Sequence, residues 1–227
     1  MSIYAISDLH LSLAKPKPMD IFGDAWQDHH QRIAAAWDEI VLPEDTVLVA
    51  GDHSWALRFD GALPDLEYIA ARPGKKILIR GNHDYWWRRE GTNRMQSKLD
   101  QSIYLMHGRG IVVDNIGITG TRGWRVEEGD ESESGDARVM NRELMYLERG
   151  LREIPETVDK RIVMLHYPPF DSDMEPNQFA ELLQTYHVDI LVYGHIHGGP
   201  YLEGDVNGIE YRLVAVDHTD FRPVLIV

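Results

Sequence analysis

The sequence predicts an α/β fold in which two packed sheets carry helices on their outer sides. Three observations lead there. Strand-length apolar runs alternate with segments of helical periodicity early in the chain, and strands dominate late. Five apolar runs end directly in side chains able to bind a metal or move a proton, and open α/β sheets place ligands at the carboxyl ends of their strands. With 227 residues, 43% of them hydrophobic, the chain has the material for one large domain, 1–227, with a sizeable core.

Taken in order, Ile3 to Ser7 reads as a first strand and Leu11 to Asp20, with Pro16 and Pro18, as a loop. Trp26 to Leu42 carries Ile33, Ala34, Trp37, Ile40 and Val41 at helical spacing, closed by Pro43. Thr46 to Ala50 is a strand, and Leu63 to Ala71 a helix with Pro64 near its first turn. Lys76 to Ile79 is the next strand, Thr92 to Leu99 a helix and Ile103 to Met106 a strand. Ile111 to Thr119 is strand-rich around an Asp114-Asn115 turn, and Glu127 to Asp136 is an acidic loop or a flap over a cleft. Val139 to Leu151 is helical, Arg161 to Leu165 a strand, Pro176 to Tyr186 a helix and Asp189 to Tyr193 a strand. The tail reads as antiparallel strands, with Asn207-Gly208 as a hairpin turn before Ile209 to Val216, and Pro223 to Val227 at the end.

Composition narrows the function. There is no cysteine, which excludes disulfides, thiolate metal sites and cysteine nucleophiles. A metal would be held by nitrogen and oxygen, and the chain offers 11 His and 37 acidic residues. The formal charge of −14 disfavours a nucleic-acid polymer as partner. No apolar run reaches the length of a membrane span. The first residues lack the pattern of a signal peptide, so a cytoplasmic location is expected.

The chemistry lies at the strand ends: Asp8 and His10, Asp52, Asn82 and His83, His166, and His195 and His197. If the strands lie in neighbouring sheets with their carboxyl ends together, these groups meet in one cleft. Asp8-Leu9-His10 and His195-Ile196-His197 set ligands at alternate positions, which an extended backbone turns to one side. The inventory suits two divalent transition-metal ions, manganese, iron or zinc above all, better than calcium. Asp52 is the natural bridge between ions about 3.5–4 Å apart. Arg80 and Arg122 are candidate phosphate contacts, because guanidinium pairs bidentately with phosphate oxygens. His53 is expected behind the ligands, and Trp86, Trp87 and Trp124 either wall the cleft or cover a core edge.

The ordered set Asp8-Leu9-His10, Gly51-Asp52, Gly81-Asn82-His83-Asp84, His166 and Gly194-His195-Ile196-His197 resembles the calcineurin-like metallophosphoesterase superfamily. The resemblance implies a four-layer α/β/β/α sandwich of two mixed sheets around a dinuclear site. Asp8, His10, Asp52 and His197 would bind one ion; Asp52, Asn82, His166 and His195 the other. It further implies hydrolysis of phosphate mono- or diesters by a metal-bridging hydroxide, with His83 as general acid oriented by Asp84, and Asn82 also meeting the substrate. The expected partner is a small phosphate ester such as a nucleotide or a small diester. Other members keep the fold as a non-catalytic scaffold for protein binding. Here Asn82, His83 and Asp84 are all retained, which favours the enzyme. The chain departs from the family's serine/threonine protein phosphatases in lacking their Arg after Gly-Asp, where it has His53-Ser54-Trp55.

Overall fold

The computed structural model describes residues 1–88, 91–125 and 133–227. One sheet contains β1 (Ile3–Ile6), β2 (Thr46–Val49), β3 (Lys75–Leu78), β4 (Ile103–Leu105) and, near the end of the chain, β11 (Val224–Leu225). The other contains β5 (Gly110–Val113), β6 (Ile116–Thr121), β7 (Lys160–Leu165), β8 (Ile190–Tyr193), β9 (Gly204–Val206) and β10 (Ile209–Leu213). Their spatial orders are β11-β1-β2-β3-β4 and β5-β6-β7-β8-β10-β9. Each is mixed. β1 to β4 run parallel with β11 antiparallel at the edge, and β6, β7, β8 and β10 run parallel between antiparallel β5 and β9.

Strand alternation sorts the core into layers. Ile3, Ala5, Leu48, Ala50, Ile77 and Ile79 face Ile118, Ile162, Met164, Ile190, Val192 and Val214 across the seam between the sheets. The intervening residues point outward. Ile6, Val47, Val49 and Leu78 pack with Ile33 and Trp37 of α1 (His29–Ile40) and Leu66 and Ile69 of α2 (Phe59–Ala70). Val163, Leu165, Leu191 and Tyr193 pack with Leu147 and Leu151 of α4 (Glu133–Glu153) and Phe179 and Leu183 of α5 (Gln178–Thr185). Helix, sheet, sheet and helix thus form four layers. The short α3 (Thr92–Gln96) adds Met95 to the first helical layer.

Several boundaries depart from expectation. α2 starts at Phe59, because its buried face begins there with Phe59 and Ala62. Pro64 therefore lies inside the helix, where its missing N–H leaves one carbonyl of the preceding turn without a helical partner. α5 begins at Gln178, after Asn177 accepts the Phe179 N–H in its side chain at 2.9 Å. α4 starts at Glu133, so the acidic segment expected as a loop is helical over 133–136; its residues 127–132 lie outside the described residues. The tail is only partly antiparallel. The Asn207-Gly208 turn folds β9 onto β10, but β10 then joins β8 in parallel. Lys76, read as part of a strand, is buried beneath α2 and donates from Nζ to the carbonyls of Ala70, at 3.0 Å, and Arg72, a cation set at a helix C-terminus.

α4 lies close to the second sheet at Gly150, where a Cβ would collide with Thr119 Oγ1 and press on the Arg109 backbone. Gly150→Ala is expected to cost about 1–3 kcal/mol by overpacking. Urea unfolding measures it, and an unchanged midpoint would show that this seam gives way.

Candidate metal centre

The parallel strands of both sheets end at one edge, where their continuations meet. Ser7, just past β1, pairs with Ala215, just past β10, and so links the sheets: Ser7 N donates to Val214 O at 2.8 Å and Val216 N to Ser7 O at 3.2 Å. His166, at the end of β7, reaches across to Ala50 of the first sheet, with Nδ1 at 3.0 Å from the carbonyl oxygen. The seam carries strained backbone. Asp8, His10, Asp52 and His195 all have positive φ, of 59°, 46°, 54° and 73°. Non-glycine residues adopt that region at a cost of about 1–3 kcal/mol each, and such residues cluster at functional sites. Gly51, at φ 98°, has no such choice: a Cβ there would lie 2.6 Å from His166 Nδ1 and 2.8 Å from Gly81 Cα.

Asp8, His10, Asp52 and His166 are buried, while Asn82, His83, His195 and His197 form the open side. Two groups emerge. Asp8, His10 and His197 present ligand atoms that all lie within 4.8 Å of one another, and so do Asp8, Asp52 and His166. Asp8 belongs to both. Asp52 also faces both, its Oδ2 being 3.8 Å from His10 Nε2 and 3.5 Å from His166 Nε2. Asn82 Oδ1 lies 2.6 Å from His166 Nε2 and 3.1 Å from His195 Nδ1.

The donor chemistry fits a cation. Among the described residues, Asp8 Oδ1 is buried with no hydrogen-bond partner, 3.4 Å from His197 Nε2 and 3.9 Å from His10 Nε2. Its Oδ2 already accepts from Ser7 Oγ and from His195 N. His166 commits Nδ1–H to the Ala50 carbonyl, so its Nε2 lone pair faces the Asp52 carboxylate. His197 turns Nδ1 to Asp217 Oδ1 at 2.9 Å, which leaves Nε2 facing His10 Nε2 at 3.3 Å and Asp8 Oδ1 at 3.4 Å. Imidazole nitrogens and carboxylate oxygens thus converge, as they do around a divalent ion.

Burial dominates the titration of these groups. It pulls His10 and His195 down to about 3 and lowers His166 as well, which leaves the imidazoles neutral and able to ligate. Burial, with the charges of Asp8 and Asp84, pushes Asp52 well up. Burial would raise Asp8 too, but His197 and the other imidazoles hold it below the usual carboxylate range. His197, which burial alone would lower, is raised to about 10 by Asp217 and Asp8.

Two residues at the mouth differ from the sequence reading. Asp84 does not orient His83. It is fully buried and accepts from Asp52 N at 2.9 Å, His53 N at 2.9 Å, Gly81 N at 2.8 Å and Trp86 Nε1 at 2.9 Å. His53, equally buried, brings Nδ1 to 2.9 Å from its Oδ2. The carboxylate is held below its usual range, because these donors outweigh its burial. His83 instead donates its backbone N–H to Asp52 Oδ1 at 2.8 Å, and turns Nε2 to within 4.0 Å of Asp52 Oδ2. Its ring lies 4.3 Å from that of Trp55. Burial lowers its pKa, with His166 and Lys17 adding to the effect.

Arg122 also changes place. It is buried, 3.9 Å from Glu143 and with its guanidinium over the Trp124 ring, because its turn is held down where its carbonyl accepts from His166 N and Tyr167 N. Arg80 is half-buried and acts on His107. Neither lines the cavity of about 290 Å³ beside His195 and His197; Arg125 does. Trp86 and Trp87 are core residues. The sequence reading missed Arg125, Asp217, Trp55, Trp26 against His10 and His197, and Tyr167 against His195. Asp217 had one signal, its place just beyond the last long apolar run.

Removing Asp217 is expected to free the His197 ring and weaken metal binding about 10–100-fold. Titration of the ion-free Asp217→Ala variant with manganese measures this; wild-type affinity would make the contact incidental.

The comparisons with known proteins agree with this geometry. A family model described as calcineurin-like phosphoesterase matches residues 1–199. Two phage proteins, the Gene 66 proteins of Mycobacterium phages L5 and D29, are 38% identical over 78 residues and 40% identical over 85. These matches take in 34% and 37% of this chain, and the chain spans only 37% and 40% of the length of the two relatives. Among solved structures, phosphopantetheinyl hydrolase from Mycobacterium tuberculosis superposes with a TM-score of 0.63 at 14% identity, covering 100% of this chain and 95% of that one. A protein of unknown function from Aquifex aeolicus gives 0.52 at 19%, covering 99% and 95%. At such identities the structural likeness carries the fold alone. With the family model spanning most of its length, the chain belongs to the calcineurin-like phosphoesterases.

Proposed function

We propose that this chain is a dinuclear, metal-dependent phosphoric ester hydrolase that acts on small phosphate mono- or diesters, with His83 as general acid. The observation that carries the reading is the convergence of ligand atoms on one point: Asp8 Oδ1, buried and unpartnered among the described residues, the Nε2 atoms of His10, His166 and His197, and Asp52 Oδ2. Asp8, His10, Asp52 and His197 would hold one ion, and Asp52, Asn82, His166 and His195 the other. When bound, such ions acidify water and neutralise phosphoryl oxygens. The chain's own residues do the rest. Asp84 fixes the backbone that presents Asp52, Asp217 fixes the His197 ring, and His83 stands at the open side with Nε2 turned inward. An anionic phosphate beside His83 raises its pKa and lets it carry the proton that the departing oxygen takes. Arg125 is the cation placed to meet a phosphate beside His195. The charge of −14 favours a small ester over a polymer.

Elemental analysis after manganese reconstitution should give two ions per chain, and chelation should abolish hydrolysis. Asp52→Asn should weaken both sites together, whereas His10→Ala should chiefly empty one. Full activity with one ion or none would defeat the dinuclear reading.

An alkoxide needs a proton as it leaves, and a nitrophenolate does not. His83→Ala is therefore expected to slow alkyl phosphate hydrolysis by about 10²–10⁴ and p-nitrophenyl phosphate hydrolysis far less. The measurement is kcat/KM for both ester types, with metal content determined alongside. Equal losses would assign His83 to phosphate binding, and lost metal would make it a support of the site.

A further inference from the structure

Against Trp55, whose ring also meets that of His83, the surface forms a groove of about 590 Å³. Two segments build it, the continuation of β1 beyond His10 and that of β2 beyond Asp52. They are tied to each other and to α2. Leu11 N donates to His53 O at 2.9 Å, Trp55 N to Leu11 O at 3.0 Å, and Leu13 N to Asp65 Oδ1 at 2.7 Å, while Ser54 Oγ donates to Asp65 Oδ2. The groove is thus rigidly attached to the strands that carry the inferred ligands.

Trp55 is the wall shared by groove and site. Its ring lies 4.9 Å from that of His10, nearly parallel at 22°, and 4.3 Å from that of His83. Lys17 Nζ lies 3.1 Å from the centre of the same Trp55 ring, so it stands no farther from the His83 ring than these two spacings laid end to end. Lys15 and Arg58 line the groove as well, and all three cations are exposed. The ion pairs among the described residues include none of them. Between the cations lie Ala14, Pro16, Ala56 and the exposed Leu57. Asp60 and Asp65 line the groove too, Asp65 being taken up by Leu13 N and Ser54 Oγ, so three exposed cations stand against one exposed carboxylate, a balance that runs against the sign of a chain with net charge −14.

We propose that this groove receives the leaving portion of the ester, and that it selects a leaving portion with an apolar body and a second anionic group. The inference rests on the phosphoesterase reading and adds the substrate class. In that reaction a water oxygen bonds to phosphorus, the bond from phosphorus to the leaving oxygen breaks, and the leaving oxygen takes a proton. The proton comes from the side of His83, so the leaving portion must lie beside His83, where the groove begins. Trp55 and the aliphatic side chains meet the apolar body, and Lys17, Arg58 and Lys15 meet the second charge.

The test compares phenyl phosphate with 4-carboxyphenyl phosphate, and the methyl diesters of both, on metal-reconstituted enzyme. Taking the ratio of kcat/KM within each pair, and then between enzymes, cancels the intrinsic reactivity of the two leaving groups. The ratio of carboxylated to plain ester is expected to fall about tenfold in Lys17→Ala/Arg58→Ala, two exposed ion pairs lost together, and to be kept in Lys17→Arg. Hydrolysis of either pair with a ratio the double variant leaves unchanged would overturn this inference and leave the phosphoesterase reading standing. Hydrolysis of neither pair would overturn that reading, and the inference with it.

Discussion

One buried carboxylate holds the site together. Asp84 gathers backbone N–H groups from the turn after β2, at Asp52, His53 and Ser54, and from the turn after β3, at Gly81, together with the Trp86 indole. A fully buried anion is costly unless its oxygens are occupied, and here donors surround it. Its effect is to lock two adjacent strand ends into one rigid unit. That unit sets the left-handed backbone of Asp52 and the approach of Gly51 to His166. The side chain that looks catalytic by its place in the motif is a structural anchor for Asp52, 32 positions earlier in the chain.

The same logic extends outward. Four of the inferred ligands have one atom turned to the centre and another fixed by the scaffold: Asp8 by Ser7 and His195 N, Asp52 by His83 N, His166 by Ala50 O and His197 by Asp217. The strained φ values of Asp8, His10, Asp52 and His195 persist because the two sheets over-determine them. Preorganisation of this kind leaves the centre crowded with acceptors, a state that only a proton or a cation relieves.

Much of this was legible in the chain. Alternation along the strands separates the seam between the sheets from the outer faces, and the five motifs stand where strands end. The four layers that the resemblance implied are present, and those strand ends meet at one edge as expected. What escaped the reading shares one physical trait: it depends on contacts between segments remote in sequence. Asp217 meets His197, Trp55 meets His10 and His83, and Arg122 turns to Glu143, and no local period announces these pairings. Asp84 was misread for the opposite reason, since adjacency to His83 in the chain says little where the backbone turns sharply. The early start of α2 at Phe59 was hidden by Pro64, which signals a first turn more often than a second.

His10 and His197 face each other at 3.3 Å although 187 residues separate them, and Asp8 lies under both. No short stretch of the chain contains the centre, whose inferred ligands run from Asp8 to His197. It comes into being only when the two sheets have closed on one another, among the most non-local contacts the topology makes and therefore among the slowest to form. The centre is in this sense a record of completed folding. A half-folded chain offers its histidines singly, and an ion that binds only the closed form acts as a latch across the seam, stabilising it by mass action.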